Sequence, residues 1–343
     1  MRKSILMHSE DYPMSDGTRG VLIAVPVLNE EYHLRKCIQS LLDQDFEGDT
    51  KIVVIDGGST DRTREIAHSL SRQSDRIYYI DNPGRIQSKA INLAARSNLP
   101  GDILVRADAH ADYGRDFVRN CVSILVQGKA ETVVVPMRTV GRRPFQRAVA
   151  AAQNSLLGNG GAAHRRNATS RFVDHGHHAA FRREFFLALG GYDETFTHNE
   201  DAEFDLRARA AGGRVWLCAE AVITYYPRAK IGSLSRQYFN YGRGRARNML
   251  MHRSIPKLRQ VAPLFITLTS LVCIVGALLY PPSIVLPLAY GAVYCLWSFA
   301  ATLRTRDPAV LAMGVAAAAM HISWSAGFLK TAADVLLARH TPA

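Results

Sequence analysis

What this chain lacks is unevenly spread. Between Ala221 and Arg306 there is no Asp or Glu, although the 343 residues hold 30 of them against 42 Lys and Arg, for a formal net charge of +12. A basic surplus of that size suits nucleic acid or an anionic membrane. Its position separates the two. The cations cluster directly before the first long apolar run, the footprint of a juxtamembrane cytoplasmic segment, and no nucleic-acid-binding signature accompanies them. The expectation is a membrane-lipid partner and no nucleic acid. Cysteine is also scarce: Cys37, Cys121, Cys218, Cys273 and Cys295 form no CxxC pair and are odd in number. That argues against a disulfide framework or a zinc site. A GxGxxG fingerprint is missing, which argues against a nicotinamide enzyme. The first twenty residues have no apolar h-region and read as a loose leader, not a secretory signal.

What is present is an alternation. Val21 to Leu28 reads as a buried strand with Asn29-Glu30-Glu31 at its carboxyl end, and a helix carries Leu34, Cys37, Ile38 and Leu41 on one face. Lys51 to Ile55 is the next strand, then a helix from Thr63 to about Ser71. Strand, loop and helix in that order twice over predict a mostly parallel sheet with right-handed crossovers. Ile77–Ile80 is a third strand, Ile86–Ala95 a helix, and Ile103-Leu-Val-Arg-Ala a strand that breaks into Asp108-Ala-His110. A helix of about Asp116–Gln127 and a strand at Thr132–Pro136 come next. Gly158 to His178, rich in Gly, Arg and His, suits a mobile loop over a site. Ala179–Leu189 and Asp201–Ala211 read as helices stopped by glycine pairs, and Val215–Tyr226 as two short strands. Glu203 and Asp205 are expected on the solvated face of the second helix. Val261–Tyr280 and Ser283–Leu303 each approach the roughly 20 residues needed to cross a bilayer, with a turn at Pro281-Pro282. Ala309–Phe328 is a weaker third stretch, either a span or an interfacial helix.

Ligands of open α/β sheets gather at the carboxyl ends of the strands. Three loops meet that description: Asn29-Glu30, Asp56 to Asp61, and Asp108 to His110. Gly57 and Gly58 permit close approach of a ligand to the backbone, and Asp56 can accept from the imide N–H of a uracil. A carboxylate and an imidazole two residues apart suit a divalent cation, which in turn suits a diphosphate. Alone, Asp108 and His110 read more readily as an idle polar turn than as a metal site. Glu200 and Asp201, likewise, read alone either as an N-cap pair or as the acids of a site.

The residues carry a resemblance. Val25-Pro-Val-Leu-Asn-Glu-Glu31, Val54-Ile-Asp-Gly-Gly-Ser-Thr-Asp-Arg-Thr63, Ala107-Asp-Ala-His110, and Phe181-Arg-Arg-Glu184 with Gly190-Gly-Tyr-Asp193 and Asn199-Glu-Asp-Ala-Glu-Phe204 stand in the order found in family 2 glycosyltransferases. The Asp-Ala-His triplet, Val173-Asp-His-Gly-His177 and Gln237-Tyr-Phe-Asn-Tyr-Gly242 are similar to the succinoglycan-type exopolysaccharide glucosyltransferases. The resemblance implies an α/β GT-A fold over 21–228, followed by a basic juxtamembrane segment at 229–260 and a membrane region at 261–343. In that region two or three transmembrane helices (261–280, 283–303 and 309–328) would anchor a cytoplasmic catalytic domain to the bacterial inner membrane. It also implies that Pro26, Asn29, Glu30 and Asp56 hold the uridine of a UDP-sugar, and that Arg85 and Lys89 lie near the diphosphate. Gly58, Asp61 and Glu200 join the substrate-binding set. Asp108 would reach the ribose or the metal, His110 would replace the second carboxylate of the usual metal pair, and Asp201 would be the base. The implied cofactor is Mn²⁺ or Mg²⁺, with the softer imidazole leaning toward Mn²⁺.

The implied reaction is inverting transfer of a hexose, glucose first among candidates, to a polyprenyl-diphosphate-linked saccharide acceptor. The processive synthases carry Gln-x-x-Arg-Trp, whereas here Gln237 is followed by Asn240-Tyr241, which favours a single transfer. Two alternatives stand: a polyprenyl-phosphate glycosyltransferase, and a non-catalytic membrane protein that senses nucleotide sugars. Two smaller questions also stay open. His175, His177 and His178, His177 first among them, either supply a third metal ligand or are loop hydrogen-bonding residues. Arg243, Arg245 and Arg247 either touch an acceptor diphosphate or attract anionic lipid.

Overall fold

In the computed structural model the residues described are 20–160, 169–256 and 258–338. The expected leader, 1–20, falls outside them except for Gly20, as does the 161–168 part of the expected mobile loop. They form two compact units, residues 20–138 with 169–225 and residues 139–160 with 226–338.

The first unit alternates as the sequence predicts: β1 (Val21–Val27), α1 (Leu34–Leu42), β2 (Thr50–Asp56), α2 (Thr63–Gln73), β3 (Ile77–Asp81), α3 (Gln87–Arg96) and β4 (Ile103–Arg106). Next come β5 (Ala111–Tyr113), α4 (Phe117–Val126), β6 (Thr132–Val135) and β7 (Met137–Thr139). In the second unit lie α5 (Pro144–Gln153) and α6 (Leu156–Asn159). The chain returns to the first unit as β8 (Arg171–Phe172), β9 (His177–Arg182), α7 (Arg183–Ala188), α8 (Glu200–Ala210), β10 (Val215–Leu217) and β11 (Ile223–Tyr225). An eight-stranded sheet runs β3-β2-β1-β4-β9-β6-β10-β8, and a small one runs β5-β11-β7. The β1 to β4 half is parallel, while β9 runs antiparallel to both β4 and β6. Both faces are covered, so the strands read as near-continuous apolar runs.

Pro26 lies in β1, between two neighbours, a poor place for a residue without an N–H. The pairing explains it. In β1 the even-numbered residues bond toward β4, whose ladder ends where Ala107 donates to Ala24 O. At Pro26 no donor is needed on that side.

One expectation is corrected here. Ala179–Leu189 is not one helix: the first part belongs to β9, and only Arg183–Ala188 is helical. Ala, Arg, Glu and Leu favour helix, but burial between β4 and β6 overrides that weak preference. Val133 pairs with Ala180 and Val134 with His178, leaving Ala179 as an extra residue. This bulge puts His178 and Phe181, three apart, on one face, with ring centroids 4.9 Å apart.

The second unit is helical: α5 and α6, then α9 (Ile231–His252), α10 (Leu258–Gly276), α11 (Val285–Thr305) and α12 (Met313–Ala338). Its core joins Val149 and Ala152 of α5, Leu234 of α9, and Met313, Ala316, Ala317 and Met320 of α12. Close packing of α9 on α12 depends on two glycines. A Cβ on Gly242 would collide with the Trp324 carbonyl, and one on Gly327 with the Phe239 carbonyl. Arg147 holds Asp307 through Nε–Oδ2 at 2.7 Å and Nη2–Oδ1 at 3.3 Å. The helical stretches Pro281–Thr305 and Pro308–Leu337 are long and apolar enough to cross a membrane, whereas the apolar part of α10, Gln260–Gly276, is shorter. Pro281-Pro282 opens a 3-10 turn, Pro281–Ile284, that runs straight into α11.

Candidate active site

The loops after β1 and β2 are laced together. The Asn29 N–H donates to Ser59 Oγ (3.0 Å), and Thr60 N–H returns a bond to Asn29 Oδ1 (2.8 Å). Glu30 N–H donates to Thr63 Oγ1 (2.7 Å), and Asp61 accepts from the N–H groups of Glu31 and Thr63. Asn29 takes a left-handed φ of 58°, which Asn tolerates. Asp61 thus serves first as a brace between loops. Some burial raises its pKa, but the hydrogen bonds from Thr63 and Glu31 prevail and hold it below the ordinary aspartate range. Asp56 ends β2 and is buried. Its Oδ1 accepts from Ser59 N–H (3.0 Å) and Oγ (2.5 Å), while Arg64 Nε and Tyr79 Oη each stand 3.4 Å from Oδ2. These four contacts match the four lone pairs of the carboxylate, so Asp56 is held in one orientation; the two on Oδ2 are long, and Tyr79 Oη also stands 2.8 Å from Asp81 Oδ1.

Above this loop lie two cations. Arg85, at φ 57°, extends its guanidinium over Gly58, where an added Cβ would touch it at 3.5 Å. Gly58 itself sits at φ 84°, so a side chain there would be both strained and obstructive. Lys89 lies along Gly84, which has no room for a Cβ beside the lysine stem. Among the described residues neither cation has an ion-pair partner, which suits them to an anionic ligand.

The loop after β4 carries Asp108 and His110. Asp108 Oδ1 accepts from Gln87 Nε2 (2.9 Å) and lies 3.7 Å from Arg106 Nε; Oδ2 lies 3.4 Å from His177 Nε2. Burial opposes ionisation of Asp108, but the Arg106 charge, then His177 and His110, outweigh it and hold the carboxyl well below its usual range. His110 turns Nδ1 to Glu30 Oε1 at 3.0 Å, and the other oxygen of Glu30 meets His33 Nδ1 at 3.1 Å. Glu30 is therefore flanked by two imidazoles.

Arg106 joins this loop to α8. Its Nη1 donates to Glu200 Oε1 at 3.2 Å and to Tyr192 Oη at 3.3 Å, and its side chain is 6% exposed. Asp201 is the next residue after Glu200, and its Oδ1 accepts from the Ala202 N–H at 2.7 Å. Burial pushes Glu200 up. In Asp201 burial acts the same way, but His178 and Arg106 overcome it, so Asp201 is held below the ordinary range and is ionised at neutral pH. The N-cap of α8 is Asn199, at φ 62° and without a side-chain cap, so neither acid is the N-cap residue.

The expectation that Glu203 and Asp205 are solvated is overturned: they are 1% and 0% exposed. Glu203 takes both arms of Arg207 at 2.7 Å. Asp205 Oδ1 lies 2.9 Å from His178 Nε2, an ion-pair approach without hydrogen-bond alignment. An unpaired acid could not be buried this way. The chain supplies the partners from distant segments.

The loops after β1, β2 and β4 leave the same edge of the parallel half of the sheet. A profile described as "Glycosyl transferase family 2" matches residues 22–190. The chain is also 45% identical over 317 residues to the succinoglycan biosynthesis protein ExoA of Rhizobium meliloti (strain 1021), covering 91% of this chain and 95% of that protein.

The chain belongs to glycosyltransferase family 2.

This glycosyltransferase is also 23% identical, over 90% of its length and 96% of the other's, to a dolichyl N-acetyl-alpha-D-glucosaminyl phosphate 3-beta-D-2,3-diacetamido-2,3-dideoxy-beta-D-glucuronosyltransferase of Methanococcus voltae. Its fold matches a mannosyltransferase from Pyrobaculum calidifontis solved with GDP-Man and Mn²⁺. The TM-score is 0.57, with 21% identity, 92% of this chain and 87% of that one covered. That likeness supports the GT-A fold.

The glycosyltransferase brings Asp108, His110 and Glu30 together on one side of Arg106, and Glu200 and Asp201 on the other. Asn29, Asp56, Gly58 and Asp61 lie in the laced loops beside them, with Arg85 and Lys89 over Gly58 and Gly84. Sequence reasoning missed Arg106, Gln87 and Tyr192, and it placed His178 in a loop, whereas His178 lies buried in β9 against Tyr192 and Asp205. One signal was available: Arg106 is a lone charge at the end of an otherwise apolar strand, two residues before Asp108.

The donor set suits a divalent cation. Asp108 is ionised, and a ligating imidazole is characteristically fixed by a carboxylate on its other nitrogen, as Glu30 fixes His110. Among the described residues no three His, Cys, Asp or Glu side chains are arranged to hold a metal ion by themselves. Such a pair fits an ion whose remaining positions go to phosphate oxygens and water.

Proposed function

We propose that this glycosyltransferase moves a hexose, glucose first among candidates, from a UDP-sugar to a polyprenyl-diphosphate-linked saccharide, with inversion, in exopolysaccharide assembly at the cytoplasmic face of the bacterial inner membrane. The observation that carries the reading is the single guanidinium of Arg106 reaching both Asp108 and Glu200, beside Asp201. The similarity to the succinoglycan biosynthesis protein and to a transferase named for a dolichyl-phosphate-linked acceptor supports the exopolysaccharide and lipid-linked parts. The helical stretches Pro281–Thr305 and Pro308–Leu337 support the membrane part.

In this reading Asp56, Asn29 and Pro26 receive the uridine. Gly58 lets the donor backbone lie close, and Arg85 and Lys89 face the diphosphate. Asp108 and His110 would hold Mn²⁺ or Mg²⁺, which supplies Lewis-acid stabilisation of the departing diphosphate when bound. Asp201, ionised and at the start of α8, accepts the acceptor hydroxyl proton as its oxygen bonds to the anomeric carbon. At the same time the bond from that carbon to the diphosphate oxygen breaks. One displacement inverts the centre without a covalent enzyme intermediate. Asn240-Tyr241 after Gln237, where processive synthases have Arg-Trp, favours one transfer per acceptor.

The test is a panel of radiolabelled nucleotide sugars on native membranes, followed by extraction of the lipid product. Label from UDP-glucose in a lipid-linked oligosaccharide is expected, and its loss in EDTA or with Asp108→Ala. Label on the bare lipid phosphate would select the polyprenyl-phosphate reaction instead. UDP binding with no transfer of any donor would leave only a sensor.

A further inference from the structure

We propose that Arg106 is a positioning residue for transfer: its guanidinium clamps the first turn of α8, and with it Asp201, against the loop that carries Asp108. The inference rests on Asp201 being the base. Arg106 is the last residue of β4, two before Asp108. Nη1 reaches Glu200 at 3.2 Å, while Nε points toward Asp108 Oδ1 at 3.7 Å and has no hydrogen-bond partner. A buried N–H is costly to leave unmade. The separation is just beyond hydrogen-bond range, so a small shift of the 107–110 loop onto a bound donor completes it.

The rest of the guanidinium is braced from behind. Tyr192 Oη accepts from Nη1 and stands 2.6 Å from His178 Nδ1, and His178 Nε2 stands 2.9 Å from Asp205 Oδ1. Tyr192, His178 and Asp205 are all buried. Asp205 lies four residues after Asp201 on α8, hence on the same side of the helix. The network therefore grips α8 at Glu200 and again at Asp205, with Asp201 between the two grips. A residue that only neutralised Glu200 would need neither the fork toward Asp108 nor the Tyr192–His178 support.

The test uses the full-length enzyme, assayed with a fixed acceptor. Arg106→Lys keeps the charge and loses the fork. It is expected to stay folded and to lose about 10²-fold in kcat, the scale on which small misplacements act, with donor KM little changed. Arg106→Met with Glu200→Gln removes the guanidinium and the acid it hydrogen-bonds, leaving Asp108 its Gln87 and His177 contacts. That variant is expected to melt near the wild-type temperature while kcat stays low. Wild-type kcat in either folded variant would overturn the proposal, and so would a loss confined to KM. Asp201→Asn runs alongside, with a loss of about 10²-fold or more expected from removal of a general base. Normal turnover there would break the base assignment, an outcome separate from failure of the Arg106 variants alone.

Discussion

The two units treat the same aliphatic side chains in opposite ways. In the sheet unit Val21 to Val25, Ile52 to Ile55 and Ile103 to Val105 are at 0% exposure. In the helical unit Val272, Leu278, Leu279 and Leu296 are 69%, 85%, 93% and 68% exposed. Apolar surface left in water forgoes about 25 cal/mol per Å², and large exposed apolar surface marks an interaction surface. The sheet unit has an interior of its own, dense enough to hold charged residues such as Arg106 and Asp205 in one arrangement. The helical unit has little interior. It is held by its small core around Met313 and Met320, by the Arg147–Asp307 pair, and by close backbone approach at Gly242 and Gly327, which works as well in lipid as in water.

The comparison can be broken at several points. The largest effect is all-or-none: truncation before Val261 is expected to abolish salt-resistant membrane association, measured by fractionation after high-salt washing. A truncated chain still in the lipid fraction would end the assignment of that outward surface to lipid. Next comes the sheet interior. Phe181 is fully buried, with ring centroids 4.9 Å from Phe186 and 5.5 Å from Phe204. Phe181→Ala should cost about 3–5 kcal/mol by denaturant titration of the sheet unit's signal. A cost under about 1 kcal/mol, below the range for such truncations, would mean the interior is not close-packed.

In the helical unit Gly242→Val should cost about 1–3 kcal/mol through overpacking against Trp324, read as a lower melting temperature in detergent. An unchanged melting point would show that the α9 and α12 backbones are not in contact.

The smallest effect is a pH dependence. Asp108 has a depressed pKa in the folded chain, so its contribution to stability is full above the unfolded aspartate value of about 3.9. That contribution is lost as pH falls through the folded pKa. The stability difference between wild type and Asp108→Asn should thus be constant from pH 7 to about 5 and shrink below about 4. A difference that grows on acidification would contradict the sign.

Much of the candidate site was legible because its parts are local. Asp56 follows an apolar strand directly, Asp108 and His110 lie two apart, and Asp201 sits in a short polar run at a helix start. Arg106 was not legible, because its partners Tyr192 and Glu200 lie 86 and 94 residues away. Glu203 and Asp205 misled for a related reason. Glu200-Asp-Ala-Glu-Phe-Asp-Leu-Arg spreads charge around α8, a pattern that reads as solvated, and nothing local reveals that Arg207 and His178 face these acids inside. The Ala179–Leu189 helix failed where local preference met a vacancy between two strands.

Composition and order alone determined the alternating α/β frame, the loops at the strand ends, the family and the apolar C-terminal helices, since each depends on neighbours within a few residues. Only the tertiary structure decided which charges are buried, which acid is held ionised and which guanidinium joins Asp108 to α8. Those outcomes follow from burial and charge pairing between segments far apart in the chain, and neither quantity exists until the sheet has closed around them.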